Sequence, residues 1–560
     1  MIYLLGVFAA GIYFSREQHQ GEDYFVGGRR MPWFAVGLSI VASLMSTVTY
    51  LAAPGEMLQH GLALSIGWLA LPFAFVVINF LWIPFFMRLG VTSIYEYLEQ
   101  RFGLFARWLG MGLFVFILRL FWMATIVLTA SRAVAQITYD SISEIMPWEM
   151  SHNQWTLTVL LSVGVFATIY TMLGGIKAVI WTDVAQFIVL FGGLIVTIFV
   201  IAGATGTTPV DWWRTATTGE NGHEFPPLMS WDITERNVIL FTVLSAVCWY
   251  CCTFIGDQVA VQRYLTTPSV KAAMRGNIVN FVADFVVMIL LALCGMALLT
   301  YYTDPRFQVE FVKGISDPTH AKAADKVFPY FIEHGLPVGM SGLVVAALFA
   351  VAMSSLDSGI NSVSTVLTLD VFGRLNPNLS KEQELQTARW LSLIVGLGCT
   401  GLAWGLLYIP DNYNIIGITA RTFNCALGPL AAMFMAGMFF RHVGQRVIVL
   451  STLFGLGVAL CTAWWIEILG ALGLTESWVE VLGALGLTDY STLEEALKNL
   501  RGPSPFLITP FATAATLLMA LILGWVLHSR NPDRGRDFHW QAVVSRDRKN
   551  SVEDINHAND

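Results

Sequence analysis

Apolar stretches of about twenty residues recur along the whole chain, near 1–14, 32–56, 63–87, 104–136, 155–173, 179–203, 237–256, 276–301, 339–366, 387–408, 414–438, 445–468 and 506–528. A helix rises about 1.5 Å per residue, so a run of this length crosses the roughly 30 Å hydrocarbon core of a bilayer. The pattern predicts an all-α integral membrane protein with about thirteen transmembrane helices. Short alternating segments of the kind a membrane β-barrel needs are missing. The first stretch is shorter than most bilayers require, and the polar run 15–23 follows it at once. It lacks the charged start and small-residue cleavage site of a signal peptide; a short tilted helix or a late start codon would both fit.

Polar positions interrupt this pattern most densely at 350–366, where five serines, a threonine, an asparagine and an aspartate share one spanning helix. Hydrocarbon offers such groups no partners, so they must face a bundle interior or a water-filled path. The adjacent hydroxyls of Ser354 and Ser355, beside backbone carbonyls, are hard oxygen donors of the kind sodium takes. Small residues also let membrane helices pack closely, which is the competing reading. The density of polar groups favours the first.

Composition agrees with the class: 55% of the 560 residues are hydrophobic and 13% charged, about half the charged share of a soluble domain. Most Lys and Arg, among them Arg16, Arg29, Arg30, Arg88, Arg101, Arg107, Lys177 and Arg263, fall in loops on one side if the N-terminus lies outside. The positive-inside rule then places the C-terminus in the cytoplasm, in a plasma membrane of bacterial inner-membrane type. All seven cysteines fall inside predicted spans, so free thiols are expected rather than disulfides. Cys248, Cys251 and Cys252 imitate a metal spacing, but no further Cys or His lies nearby, and packing is the better reading. No basic stripe with interleaved aromatics suggests nucleic acid, and no obligate protein partner is evident. The ten histidines lie mostly in loops and tail without a clustered nucleophile or base, which argues against an enzyme.

Several segments converge on one family. They are Glu22–Trp33 (EDYFVGGRRMPW), Thr92–Gly103 (TSIYEYLEQRFG), Gly174–Asp183 (GGIKAVIWTD) followed by Gln186, Gly192 and Gly193, Asp257–Leu265 (DQVAVQRYL), and Gly428-Pro429-Leu430. With the serine-rich helix, they resemble the sodium/solute symporter family, which includes sodium-coupled glucose, proline and iodide transporters. The resemblance runs from about residue 15 to 450. It implies a LeuT-type core in which spans two to six and seven to eleven form two five-helix repeats of opposite topology. The implied divisions are an extra helix and inner loop at 1–31, a first repeat at 32–203, an outer loop at 204–236 and a second repeat at 237–440. Peripheral helices follow at 441–528 with an outer insertion at 469–504, then a charged cytoplasmic tail at 529–560. Within the insertion, LGALGLT occurs at 469–475 and again at 482–488, which suggests a short surface hairpin. Residues 41–55 fit a broken helix, whereas the seventh span shows no clear break before Gly256.

The resemblance also implies sodium as coupling ion, held by the carbonyls of Ala42, Met45 and Val351 and the hydroxyls of Ser354 and Ser355. Ala42 and Met45 are three apart, hence expected on one helix face, and five neutral oxygens suit a monovalent cation better than calcium. Asp183 matches a family acid near the inner gate, where it would tune ion release or pair with Arg119. No second sodium site is clear, and the hydroxyls of Thr47, Thr49 and Ser358 are no more than candidates.

The solute site is less defined. Arg119, mid-span, would either clamp a substrate carboxylate or pair internally with Asp183 or Asp284. Thr49, Tyr50, Trp122, Trp249, Tyr250, Phe254 and Asn424 are expected pocket lining, since compact solutes favour aromatic faces with a few hydrogen bonds. Met45–Gly55 reads closer to iodide and monocarboxylate carriers, and Ser354–Thr365 closer to glucose carriers. The expected function is sodium-coupled import of a small organic solute by alternating access. The alternatives are a transporter-like sensor, for which the tail is too short to be a signalling domain, and sodium-coupled uptake of a small anion. No filter-like loop suggests a channel.

Overall fold

A computed structural model of the protein describes residues 2–16, 18, 20–60, 65–146, 149–218, 239–309, 321–337, 339–409, 415–484, 502–527 and 536–545. Most of the outer loop before residue 237, the second LGALGLT copy from 485 on and most of the tail lie outside them. With no water to satisfy backbone groups, each apolar run closes its own hydrogen bonds as a helix. The elements used below are α1 (Ile2–Ser15), α2 (Trp33–Leu44), α3 (Thr47–His60), α4 (Ile66–Leu89), α5 (Tyr95–Arg101), α6 (Leu104–Asp140), α7 (His152–Thr205) and α8 (Ile239–Gly256). They continue with α9 (Gln258–Leu265), α10 (Val270–Thr303), α11 (Met340–Leu375), α12 (Lys381–Leu407), α13 (Ile415–Phe439), α14 (Gln445–Ala463), α15 (Pro505–Val526) and α16 (Trp540–Val544).

Ten of the described helices are long and apolar enough to span a membrane, and α2 with α3 makes an eleventh, bent by 66°. The 54-residue α7 covers two of the sequence stretches, because it breaks at Gly175 (φ 53, ψ −161). That left-handed φ strains any residue with a Cβ, which would also sit 2.8 Å from the Tyr24 ring. The carbonyls at the break find side-chain partners: Gln18 Nε2 donates to Gly174 O at 2.5 Å and Tyr24 OH to Thr171 O at 3.3 Å. Counted this way, with the short α1 first, the described helices account for every stretch read from the sequence. Phe73, Phe199 and Trp525, more than 60% exposed, belong to the outward apolar surface that faces lipid.

One crossing shows the internal symmetry directly. Where α7 meets α12, a Cβ on Gly164 would lie 2.2 Å from Thr400 Oγ1, and a Cβ on Gly396 would lie 2.2 Å from Thr168 Oγ1. Gly164 and Thr168 are four apart on one helix, as Gly396 and Thr400 are on the other. Such a reciprocal contact is what a pseudo-two-fold axis between inverted repeats produces. Gly396→Val should therefore force the helices apart and cost about 1–3 kcal/mol, read as a lowered unfolding temperature in detergent. An unchanged temperature would show that the crossing is slack.

One expectation changes. Met45 does not share a helix face with Ala42: α2 ends at Leu44 and Met45 is extended (φ −72, ψ 118). The seventh span breaks immediately after Gly256, at Asp257 (φ −101, ψ 114), whose carboxylate caps α9 by accepting from Val259 N at 2.9 Å.

Part of the tail is docked. Tyr97 OH donates to Phe538 O at 3.2 Å, and Trp540 Nε1 to Leu81 O at 2.9 Å. The His539 ring lies 3.4 Å from Arg101 Nη2 and 3.2 Å from Met438 O, and Val543 is buried.

Candidate ion and solute site

The interruption between α2 and α3 follows from its residues. Ser43, Ser46, Thr47 and Thr49 crowd the segment with hydroxyls that compete for backbone groups, and Pro54 lies one turn or two beyond. Carbonyls at the end of α2 lose their helical donors. Across from them α11 presents its paired serines. Ser354 Oγ lies 2.8 Å from Ala42 O and 3.0 Å from Val351 O. Ser355 Oγ lies 3.2 Å from Met45 O and 3.4 Å from Ser43 O. The five expected sodium ligands thus meet across the narrow gap between α2 and α11 as two buried hydrogen-bonded sets. Ser354 pairs with the carbonyls of Ala42 and Val351, and Ser355 with those of Met45 and Ser43, the last of which the sequence reading did not name. Its signal was positional only: it lies between Ala42 and Met45.

Beside this gap sits a fully buried ionic network. Arg263 of α9 is 3.2 Å from Asp183 of α7, donates through Nε to Ser39 Oγ at 2.8 Å, and reaches Ser358 through Nη2. Asp183 also accepts from Ser39 and, at 3.1 Å, from Ser43; its Oδ1 is buried with no hydrogen-bond partner. Asp357 accepts from Tyr170 and, at 3.1 Å, from Ser358. Four elements (α2, α7, α9 and α11) are tied together here. The pairing corrects the sequence expectation: Asp183 bonds Arg263, and Arg119 pairs with Asp257 rather than with Asp183 or Asp284. On the short connecting helix α5, burial alone would raise the Glu99 carboxyl. Arg107 at 2.6 Å and Arg374 at 2.5 Å outweigh that and hold it below the ordinary carboxylate range.

On the other side of the gap lies a cavity of about 480 Å³, whose wall shares Ser43, Met45 and Ser46 with the ion gap. Of the expected lining, Thr49, Arg119, Trp122, Trp249, Tyr250 and Asn424 face it. Tyr50 and Phe254 do not: both are fully buried, Tyr50 against Phe328 at 5.6 Å and Phe254 against Phe281 at 6.1 Å between ring centroids. The sequence reading missed Trp68, Phe423 and Asn280 as lining, and Asp257 and Asp284 as well. The two acids carried a signal, since carboxylates inside apolar spans are costly unless used. The seven cysteines form no disulfide.

A helical membrane bundle with two interrupted helices, an oxygen-lined gap and an adjoining polar and aromatic cavity defines a cation-coupled solute transporter. Residues 24–455 match the model of the sodium:solute symporter family, and the chain belongs to that family. It is 30% identical to the sodium/sialic acid symporter of Aliivibrio fischeri, covering 83% of this chain and 86% of the relative. Identity to the human sodium/iodide cotransporter is 28%, covering 93% and 74%. A Na+-coupled sialic acid symporter, solved substrate-bound and outward-open, superposes with a TM-score of 0.72 at 24% identity, covering 94% of this chain and 96% of that one. A nucleobase-cation-symport-1 family transporter in a closed conformation gives 0.52 at 14% identity, covering 92% and 98%. The protein is thus a multi-pass, sodium-coupled solute transporter with a LeuT-type core, and not an enzyme.

Proposed function

We propose that the protein imports a small organic solute together with sodium by alternating access. Sodium sits among the carbonyls of Ala42, Met45 and Val351 and the hydroxyls of Ser354 and Ser355. The observation that carries this reading is the meeting of those oxygens across one narrow buried gap at a helix break. With the N-terminus outside and the C-terminus in the cytoplasm, as Lys and Arg distribute, the cavity occupies the outer half of the molecule. The Arg263–Asp183 network then closes the inner half, and it must open for release. Asp183 Oδ1, buried without a partner, is an acceptor for the departing ion.

Relatives named for sialic acid and iodide show that family membership does not fix the solute. The energetics favour sodium as a driver. One charge crossing 100 mV is worth about 2.3 kcal/mol, and a tenfold gradient adds about 1.4 kcal/mol. Together, about 3.7 kcal/mol holds a neutral solute near 500-fold accumulation. The test is electrogenic current in proteoliposomes while sugars, carboxylates, amino acids and vitamins are added in sodium and again in choline. Current that requires both sodium and a solute is the expected result; sodium current indifferent to every solute would sink the proposal.

A further inference from the structure

The last spanning helix, α15, is packed from one side only. Leu518, Ile522 and Trp525 point outward, each more than half exposed, whereas Thr509, Thr513 and Thr516 are buried. Small hydroxyl residues on such a face ordinarily serve close packing. Two of them do: Thr513 Oγ1 donates back to Thr509 O at 2.7 Å and Thr516 Oγ1 to Ala512 O at 2.8 Å, both within the helix. Thr509 differs, because its hydroxyl leaves the helix. It donates to Asn424 of α13, 3.2 Å from Oδ1 and 3.4 Å from the main-chain O, and Asn424 faces the solute cavity.

The start of the helix explains how it reaches that wall. Pro505 opens the turn Pro505–Leu507, where a missing N–H costs nothing. Leu507 N closes the turn on Ser504 O at 2.9 Å. Leu507 packs with Phe241 of α8, and Ile508 shares a buried cluster with Cys425 of α13. Phe506, beside them, lines the cavity, three positions before Thr509 and on the same side of the helix. Further along, a Cβ on Gly428 would lie 2.8 Å from Thr513 Oγ1 and 2.9 Å from Thr509 O. That close approach, four residues on from Asn424, clamps α13 to α15 and keeps the threonine in register with the amide.

We infer that α15 belongs to the solute site: Phe506 forms part of its wall, and Thr509 is a positioning residue that holds the Asn424 amide by its carbonyl. The two N–H bonds of that amide then face the solute as donors. Without the hold, the amide is free to turn over and present an acceptor instead. The inference rests on the sodium-coupled uptake proposed above. It places part of the selectivity beyond residue 455, where the match to the family model ends, so family membership does not carry it.

The full-length protein in proteoliposomes provides the test, with sodium-dependent currents recorded for glucose, lactate, proline and biotin. For the solute that evokes current, Thr509→Val should raise the half-saturation concentration about 3–10-fold, the worth of one hydrogen bond. Thr509→Ser, which keeps the hydroxyl, should reverse most of that rise. Phe506→Ala should raise it too and serves if the Val variant fails to fold. Sodium should stabilise both variants against heat as it does the unsubstituted protein, whereas a merely structural role would lower stability and leave half-saturation alone. Phe506→Cys gives a reading that needs no solute. A charged methanethiosulfonate, which reaches water-filled cavities but not lipid, should add one adduct by mass beyond those of the unsubstituted protein. A missing adduct overturns the placement of Phe506. Half-saturation unmoved by Thr509→Val and Phe506→Ala alike overturns the role of α15; sodium coupling survives either result. Current indifferent to sodium for every solute, with the adduct present, would instead overturn the coupling and leave α15 at the cavity.

Discussion

Replacing Arg263 with methionine should cost about 3–5 kcal/mol of folding stability, because breaking a buried pair strands the remaining charge in a medium that cannot solvate it. Here the loss is compounded. The guanidinium reaches Asp183, Ser39 and Ser358, and Asp357 sits one hydrogen bond further on at Ser358. Two fully buried carboxylates share one cation. Asp183→Asn should do less damage, since it leaves one carboxylate for one guanidinium. The double variant Arg263→Met with Asp183→Asn should recover part of what Arg263→Met loses. Unfolding in detergent, followed by heat or denaturant, measures all three. A loss below about 1 kcal/mol for Arg263→Met would mean that the network is hydrated and weak, contrary to its burial.

For Ser355→Ala the expected result is a sodium affinity lowered about 10–100-fold, the worth of one oxygen donor to a charged group. The change removes a single hydroxyl facing Met45 O at 3.2 Å and Ser43 O at 3.4 Å. Stability without sodium should move little. Linkage gives a readout that needs no solute. Sodium present at about a hundred times its dissociation constant stabilises the folded protein by about 2.7 kcal/mol. If the constant rises a hundredfold, the same sodium contributes about 0.4 kcal/mol. Ser364→Ala is the control on the same helix: its hydroxyl bonds Asn361 O at 2.9 Å, away from the gap, and the response to sodium should persist. An unchanged sodium response in Ser355→Ala would remove this serine from the ion site.

The spans were legible because hydrocarbon imposes a long, simple signal, and the paired serines because no lipid-facing helix tolerates so many hydroxyls. What escaped the sequence was set by contacts distant in the chain. Residues 239–256 read as an unbroken apolar run, and the break that follows is made by a side chain: Asp257 caps the next helix and takes Arg119, 138 positions away. A mid-span arginine announces that it needs a partner but not which one, so Asp183 and Asp284 were equally reasonable. Tyr50 was misplaced for a local reason. Consecutive helical residues point about 100° apart, and on α3 that turn carries Tyr50 away from Thr49 and into the core against Phe328. Phe254 differs from Trp249 in depth rather than in hydrophobicity, which residue type alone does not encode.

The docked end of the chain carries a practical consequence. Leu81 on α4, Tyr97 and Arg101 on α5, and Met438 on α13 all hold the short segment from Phe538 to Trp540. No rigid displacement of one of these elements against the others preserves every one of those bonds. A fluorophore or spin label placed just beyond Val544 would therefore register the geometry of this end of the bundle without touching either the ion gap or the cavity. Its signal, followed while sodium and then solute are added, would give the order of events in the transport cycle as a time trace.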